Sequence, residues 1–210
     1  MKNFFALLCA TIVVTVLSGC QTYFASYDIS LKEVVTPSQV KDKYGEQKIY
    51  NIDSMGVKRY YFENAMVKIF WLPTSSNVNF TIYNKTDFSI KILWDDAAYL
   101  DETGKSHRVM HSGVKYIDRS NPQPPTVIPR RGSIDDLVFP VDNVYFISGE
   151  YGGWDEIPLF PNRGQTMEEV KQKAQPYVGK SFQVLLPLSI QDVVNEYTFT
   201  FLINNVNYRH

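Results

Sequence analysis

Three stretches of this chain alternate apolar and polar residues at a period of two, and that pattern constrains its fold more than any other feature. They are Val78-Asn79-Phe80-Thr81-Ile82-Tyr83, Phe88-Ser89-Ile90-Lys91-Ile92-Leu93-Trp94 and Tyr197-Thr198-Phe199-Thr200-Phe201-Leu202. Successive side chains of a strand point to opposite faces, so each run buries one face and wets the other. The turn residues Asn84-Lys85-Thr86-Asp87 between the first two predict an antiparallel hairpin. In it, Val78, Phe80 and Ile82 share a core with Phe88, Ile90 and Ile92.

Other strands follow from the same reasoning. Met66–Leu72 is rich in β formers and stops at Pro73. Ala97–Leu100 and Ser106–Met110 pair across Asp101-Glu102-Thr103-Gly104, with Gly104 where a positive φ is needed. Thr126–Ile128 and Ser133–Phe139 flank the turn Pro129–Gly132, Val144–Ile147 is a strand, and Gly149–Pro161 reads as a loop. Ser181–Ile190 and Glu196–Ile203 close the chain, joined near Gln191-Asp192. Gln47–Ile52 is expected as the first strand, after a short helix from Pro37 to Gly45. One firmer helix is expected from Thr166-Met167-Glu168-Glu169, a capping box, to Pro176. With 44% apolar and 14% aromatic residues the chain can fill a core. Many short strands separated by turns predict a sandwich or barrel in one domain.

The N-terminal stretch is of another kind. Lys2 precedes an apolar run from Phe4 to Leu17, and Leu17-Ser18-Gly19-Cys20 ends it with small residues. This is the layout of a secretory signal peptide, and the run is shorter than the ~20 residues of a membrane span. Leu-Ser-Gly-Cys resembles the lipobox of bacterial lipoproteins. That resemblance implies that Cys20 is acylated and becomes the new N-terminus, holding the protein to the membrane of the cell envelope. Gln21 stands where an Asp would favour retention at the inner membrane, so the resemblance favours the outer membrane. The chain then divides into a cleaved signal helix over 1–19, a lipidated tether and irregular segment over 20–45, and a β domain over 46–210. Cleavage removes Lys2 from 21 basic residues and leaves 20 against 22 acidic, a net charge of −2. No basic block points to nucleic acid. Of the two cysteines, Cys9 is removed and Cys20 acylated, so neither a disulfide nor a thiol nucleophile remains.

A second resemblance rests on Phe80–Thr86, on Ile90-Lys91-Ile92-Leu93-Trp94 and on Asp101-Glu102-Thr103-Gly104. These look like the immunoglobulin-like modules of bacterial envelope lipoproteins, with an Asn after the second strand, a hydrophobic third strand and an acidic-Gly turn. The resemblance implies a mainly β, immunoglobulin-like antiparallel β-sandwich with one short helix. It implies no function.

Candidate chemistry is sparse. On a strand, His107 and His111 stand about 13 Å apart and cannot share one ion, and no metal or cofactor is expected. Asp95, Asp96, Asp101, Glu102 and Asp118 are close in sequence, and an envelope hydrolase or carbohydrate-active protein would need them to converge. Asp101–Gly104 departs from a calcium-binding EF-hand loop. No Gly-x-Ser-x-Gly nucleophile elbow occurs. Tyr145, Tyr151, Trp154 and Phe160 fall in or beside the long loop before the helix, and tyrosine and tryptophan are favoured anchors of interfaces. The other reading of these rings, which the sequence favours, is that they close one end of the core. The expectation is a non-enzymatic lipoprotein that binds an envelope protein or other envelope component, with this loop as the candidate surface. A hydrolase using the carboxylates, and a structural subunit of an envelope complex, are the alternatives.

Overall fold

The computed structural model describes residues 22–37, 44–54 and 57–210. It is mainly β, built on a 13-stranded antiparallel sheet that curls over its own core. The strands are β1 (Tyr23–Val35), β2 (Lys48–Ser54), β3 (Val57–Glu63), β4 (Val67–Pro73), β5 (Val78–Asn84), β6 (Ile90–Ile92), β7 (Ala98–Leu100) and β8 (Ser106–Met110). They continue with β9 (Thr126–Ile128), β10 (Ser133–Pro140), β11 (Val144–Ile147), β12 (Gly153–Glu156), β13 (Arg163–Gly164), β14 (Ser181–Ile190) and β15 (Val193–Arg209). The hydrogen-bonded order is β13-β1-β15-β14-β7-β8-β10-β5-β4-β3-β2, with β6 paired to β14 and β9. β11 and β12 form a separate two-stranded sheet.

The curl brings distant strands face to face. Trp71 of β4 meets Phe199 and Phe201 of β15 with ring centroids 4.7 and 5.5 Å apart, and Phe62 of β3 meets Tyr197 and Phe199 at 5.5 Å. Each such ring removes roughly 150–250 Å² from water, a gross gain of about 4–6 kcal/mol before chain entropy is set against it. The alternation of the last strand places Tyr197, Phe199 and Phe201 on this buried face. The turn that feeds it, Gln191-Asp192, has positive φ at both residues. That is the twist-compatible hairpin turn.

The expected hairpin of the two leading runs does not form. Val78, Phe80, Ile82, Ile90 and Ile92 do line one core. But β4 occupies one edge of β5 and β10 the other, so no ladder positions are left for β6. β6 crosses instead to β14 and β9. The crossing is fixed by the buried Asn84 amide, whose Nδ2 donates to the carbonyls of Phe88, Ile128 and Pro129 at 2.7–3.2 Å. Its Oδ1 accepts from the Thr86 backbone N–H and hydroxyl.

A second correction concerns the tether. Residues Tyr23–Val35 are not irregular; they form β1, paired along nearly its whole length with β15. The β domain therefore starts at β1 rather than near residue 46. Its weak alternation reflects shifts of register beside Asp28 and Leu31. Gln47–Ile52 is a strand, but the second, and most of the expected Pro37–Gly45 helix lies outside the described residues, as do Cys20 and the signal segment.

The helix α1 (Met167–Ala174) forms as expected, with the Thr166 side chain accepting from the Glu169 N–H. Val170 and Ala174 pack with Ala25 of β1 and Val206 of β15. Among the described residues, no helix is long and apolar enough to cross a membrane.

Candidate functional site

The segment 144–157 departs from the packing seen elsewhere. Val144–Ile147 and Gly153–Glu156 pair as a hairpin outside the main sheet, in the register Val144↔Glu156, Tyr145↔Asp155, Phe146↔Trp154 and Ile147↔Gly153. β12 lies inside the expected loop. Its signal was present in the sequence: a β-rich run, five residues with two glycines, then Gly153-Trp154. Gly152 is obligatory in the turn, because a Cβ there would stand 2.1 Å from the Ile147 carbonyl oxygen. The base of the hairpin is clamped by Asn143 and Ile157, whose backbone N–H donates to the Asn143 carbonyl at 2.8 Å while the Asn143 amide donates back at 2.9 Å.

Both faces of this hairpin carry exposed apolar or aromatic side chains. Phe146 and Trp154 meet edge-to-face at 5.3 Å on one, and Tyr145 and Ile147 lie on the other. All four are exposed, Trp154 at 38% and Phe146 at 58%, and Tyr151 at the tip is 96% exposed. An isolated two-stranded sheet is marginal in water, and leaving its rings uncovered forfeits their burial energy.

Below the hairpin is a cleft of about 510 Å³ lined by Phe24, Tyr116, Trp154, Asp155, Glu156 and Arg163 among others. The Arg119 guanidinium lies 4.8 Å from the Trp154 ring centroid and also donates to the Tyr116 carbonyl. The Tyr116 hydroxyl donates to Glu156, and that of Tyr145 to Asp155 at 3.0 Å. The Glu156 N–H, then the Tyr145 hydroxyl, hold the Asp155 carboxyl below its ordinary range, while the Asp155 hydrogen bond raises the Tyr145 phenol. The rim thus offers aromatic faces beside fixed carboxylates and two arginines, Arg119 and Arg163. Phe24, Tyr116, Arg119 and Arg163 come from segments far apart in the chain, and no sequence spacing marks them.

The four rings singled out in the sequence separate. Tyr145, Tyr151 and Trp154 belong to the hairpin, whereas Phe160 is fully buried. It packs on Tyr27, Tyr177 and Phe182 at 5.2–5.5 Å, a part of the core and not of the exposed surface.

Three of the clustered carboxylates, Asp95, Asp101 and Asp118, are engaged with partners of their own. Asp95 binds Arg108 at 2.7 Å and accepts from the Gln123 N–H; Asp118 accepts from Asn121. Asp101 caps its own turn through Thr103 and Lys105 and binds His107 Nε2 at 3.0 Å, while Asp142 binds Nδ1, also at 3.0 Å. Burial opposes the charge on His107, yet these two carboxylates outweigh it and raise the imidazole above its ordinary pKa. Burial likewise resists the Asp101 charge, and the Thr103, His107 and Lys105 donors hold that carboxyl well below its usual range. His111 is separate: it stacks on Trp94 at 4.2 Å and faces Asp136 at 3.3 Å. Among the described residues, no group of three His, Cys, Asp or Glu side chains could hold a metal ion.

Comparison with protein-family models, curated proteins and solved structures found no match to this chain.

Proposed function

We propose that this chain is a lipid-anchored, non-enzymatic protein of the bacterial envelope, most compatible with the outer membrane. It uses the β11–β12 hairpin and the cleft beneath it to engage a protein or another envelope component. The observation that carries the reading is the hairpin itself: five exposed apolar or aromatic side chains on an element with no ladder to the main sheet. Exposed apolar patches of this kind mark interaction sites on soluble proteins. The sequence Leu17-Ser18-Gly19-Cys20 supports the anchor. The curled antiparallel sheet is compatible with a sandwich-type envelope module, the finer fold reading.

Two variants test it. Cys20→Ser is expected to release the protein from membranes washed in high salt; retention there contradicts the anchor. Tyr151→Ser combined with Phe146→Ser is expected to abolish crosslinks formed in intact cells while the protein stays membrane-bound; an unchanged crosslinking pattern contradicts the hairpin as the engaging surface.

A further inference from the structure

The hairpin and the start of the domain lie together. β1 begins at Tyr23 and pairs there with β13, Tyr23 to Gly164 and Phe24 to Arg163. Phe24 and Arg163 line the same cleft as Trp154 and Glu156. The segment after the hairpin is bound to this corner as well, through the Ala25 N–H donating to the Asn162 carbonyl and the Tyr27 hydroxyl donating to that of Pro161. Phe24 lies four residue steps beyond Cys20, and an extended chain spans at most about 3.3–3.6 Å per residue. An acyl group on Cys20 therefore keeps the bilayer within about 14 Å of Phe24, on the side of the molecule that carries the hairpin.

The side chains there suit that surroundings. Tryptophan and tyrosine concentrate at the membrane–water interface, where the ring is in a partly apolar layer and the N–H or O–H stays wet. Tyr145, Tyr151 and Trp154 are of this type, and Phe146, Ile147 and Ile157 add apolar surface beside them, all exposed. Of the hairpin's carboxylates, Asp155 and Glu156 are bound by Tyr145 and Tyr116, and Glu150 is exposed in the turn, where a headgroup layer leaves it in contact with water. The hairpin's own hydrogen bonds pair the central backbone of both strands.

We infer that the β11–β12 hairpin rests in the phospholipid headgroup layer beside the lipid anchor, fixing the orientation of the domain on the membrane. This names the envelope component of the reading above and rests on the acylation of Cys20.

The test exploits the tryptophans. Trp71 and Trp94 are fully buried, so Trp154 is the chain's one indole that a lipid can reach. Full-length protein purified in its processed form is reconstituted into phosphatidylcholine vesicles with and without brominated acyl chains. The inference expects the protein to float with the vesicles and its tryptophan emission to be quenched by brominated lipid. The quenching is expected to vanish in Trp154→Phe, and to fall at least about twofold in Tyr151→Ser with flotation intact. Tyr151 is so exposed that its loss cannot unfold the domain. Flotation without quenching overturns the lipid contact and leaves the anchor standing. The same result with hairpin crosslinks to a membrane protein assigns the hairpin to a protein partner instead. If the processed protein does not float, or Cys20→Ser floats equally well, the anchor reading falls and this inference falls with it.

Discussion

Two hairpins of this molecule carry the same kind of cross-strand aromatic pair and treat it in opposite ways. In β4–β5, Trp71 stands opposite Phe80 and both are buried. In β11–β12, Phe146 stands opposite Trp154 and both are exposed. The difference is what lies over them. The curled sheet lays Phe199 and Phe201 of β15 across Trp71, whereas the outer hairpin has Arg119 and Tyr116 beside its tryptophan and solvent over the rest. Similar local chemistry is thus buried in the core in one place and left exposed in the other.

The largest effect expected from breaking this contrast is in the core. Trp71→Ala should cost about 3–5 kcal/mol in urea unfolding, against about 1 kcal/mol or less for Phe146→Ala. Comparable losses at both sites would mean that the outer hairpin is part of the folding core. Within the stretch that the sequence treats as one aromatic loop, Phe160→Ala should likewise cost about 3–5 kcal/mol and Tyr151→Ala close to nothing.

Asn84→Ala comes next, at about 2–4 kcal/mol, since it removes the amide donor to three carbonyls and the acceptor of the Thr86 backbone N–H. A smaller effect, confined to pH, is expected at His107. Its folded pKa is raised, so its contribution is fully present below the ordinary imidazole value near 6.5 and is lost as pH rises through the folded value. Asp101 has the opposite sign: its contribution is present above about 4 and is lost as pH falls through its lowered folded value. The melting temperature of His107→Gln should therefore lack the alkaline-side decline of the parent chain, and a retained decline would assign it to another group. The smallest global effect belongs to Gly152→Ala. It should open the outer hairpin, visible as faster amide exchange over 144–156, with the unfolding midpoint nearly unchanged.

The strands and helix α1 were largely legible because period-two alternation and the capping box are local signals. Partnership was less so. The Val78–Tyr83 and Phe88–Trp94 runs are both core-facing, but which strand pairs with which depends on the Asn84 amide reaching carbonyls more than forty residues away. β1 was hidden because its register shifts break the alternation, and a polar, aromatic segment after an apolar N-terminal run reads as tether. At the site, Tyr145, Tyr151 and Trp154 stood out by residue type and place. Phe160 did not differ from them in sequence, and its burial depends on Tyr27, Tyr177 and Phe182, contributed by other parts of the fold. The cleft residues Phe24, Tyr116 and Arg163 converge only through the tertiary structure.

Amide hydrogen exchange of the full-length processed protein with phospholipid membranes, compared with the same protein without them, tests the outward-facing hairpin most directly. The account predicts added protection over residues 144–157 in membranes, with β14 and β15 unchanged. Equal exchange over 144–157 in both states would contradict it.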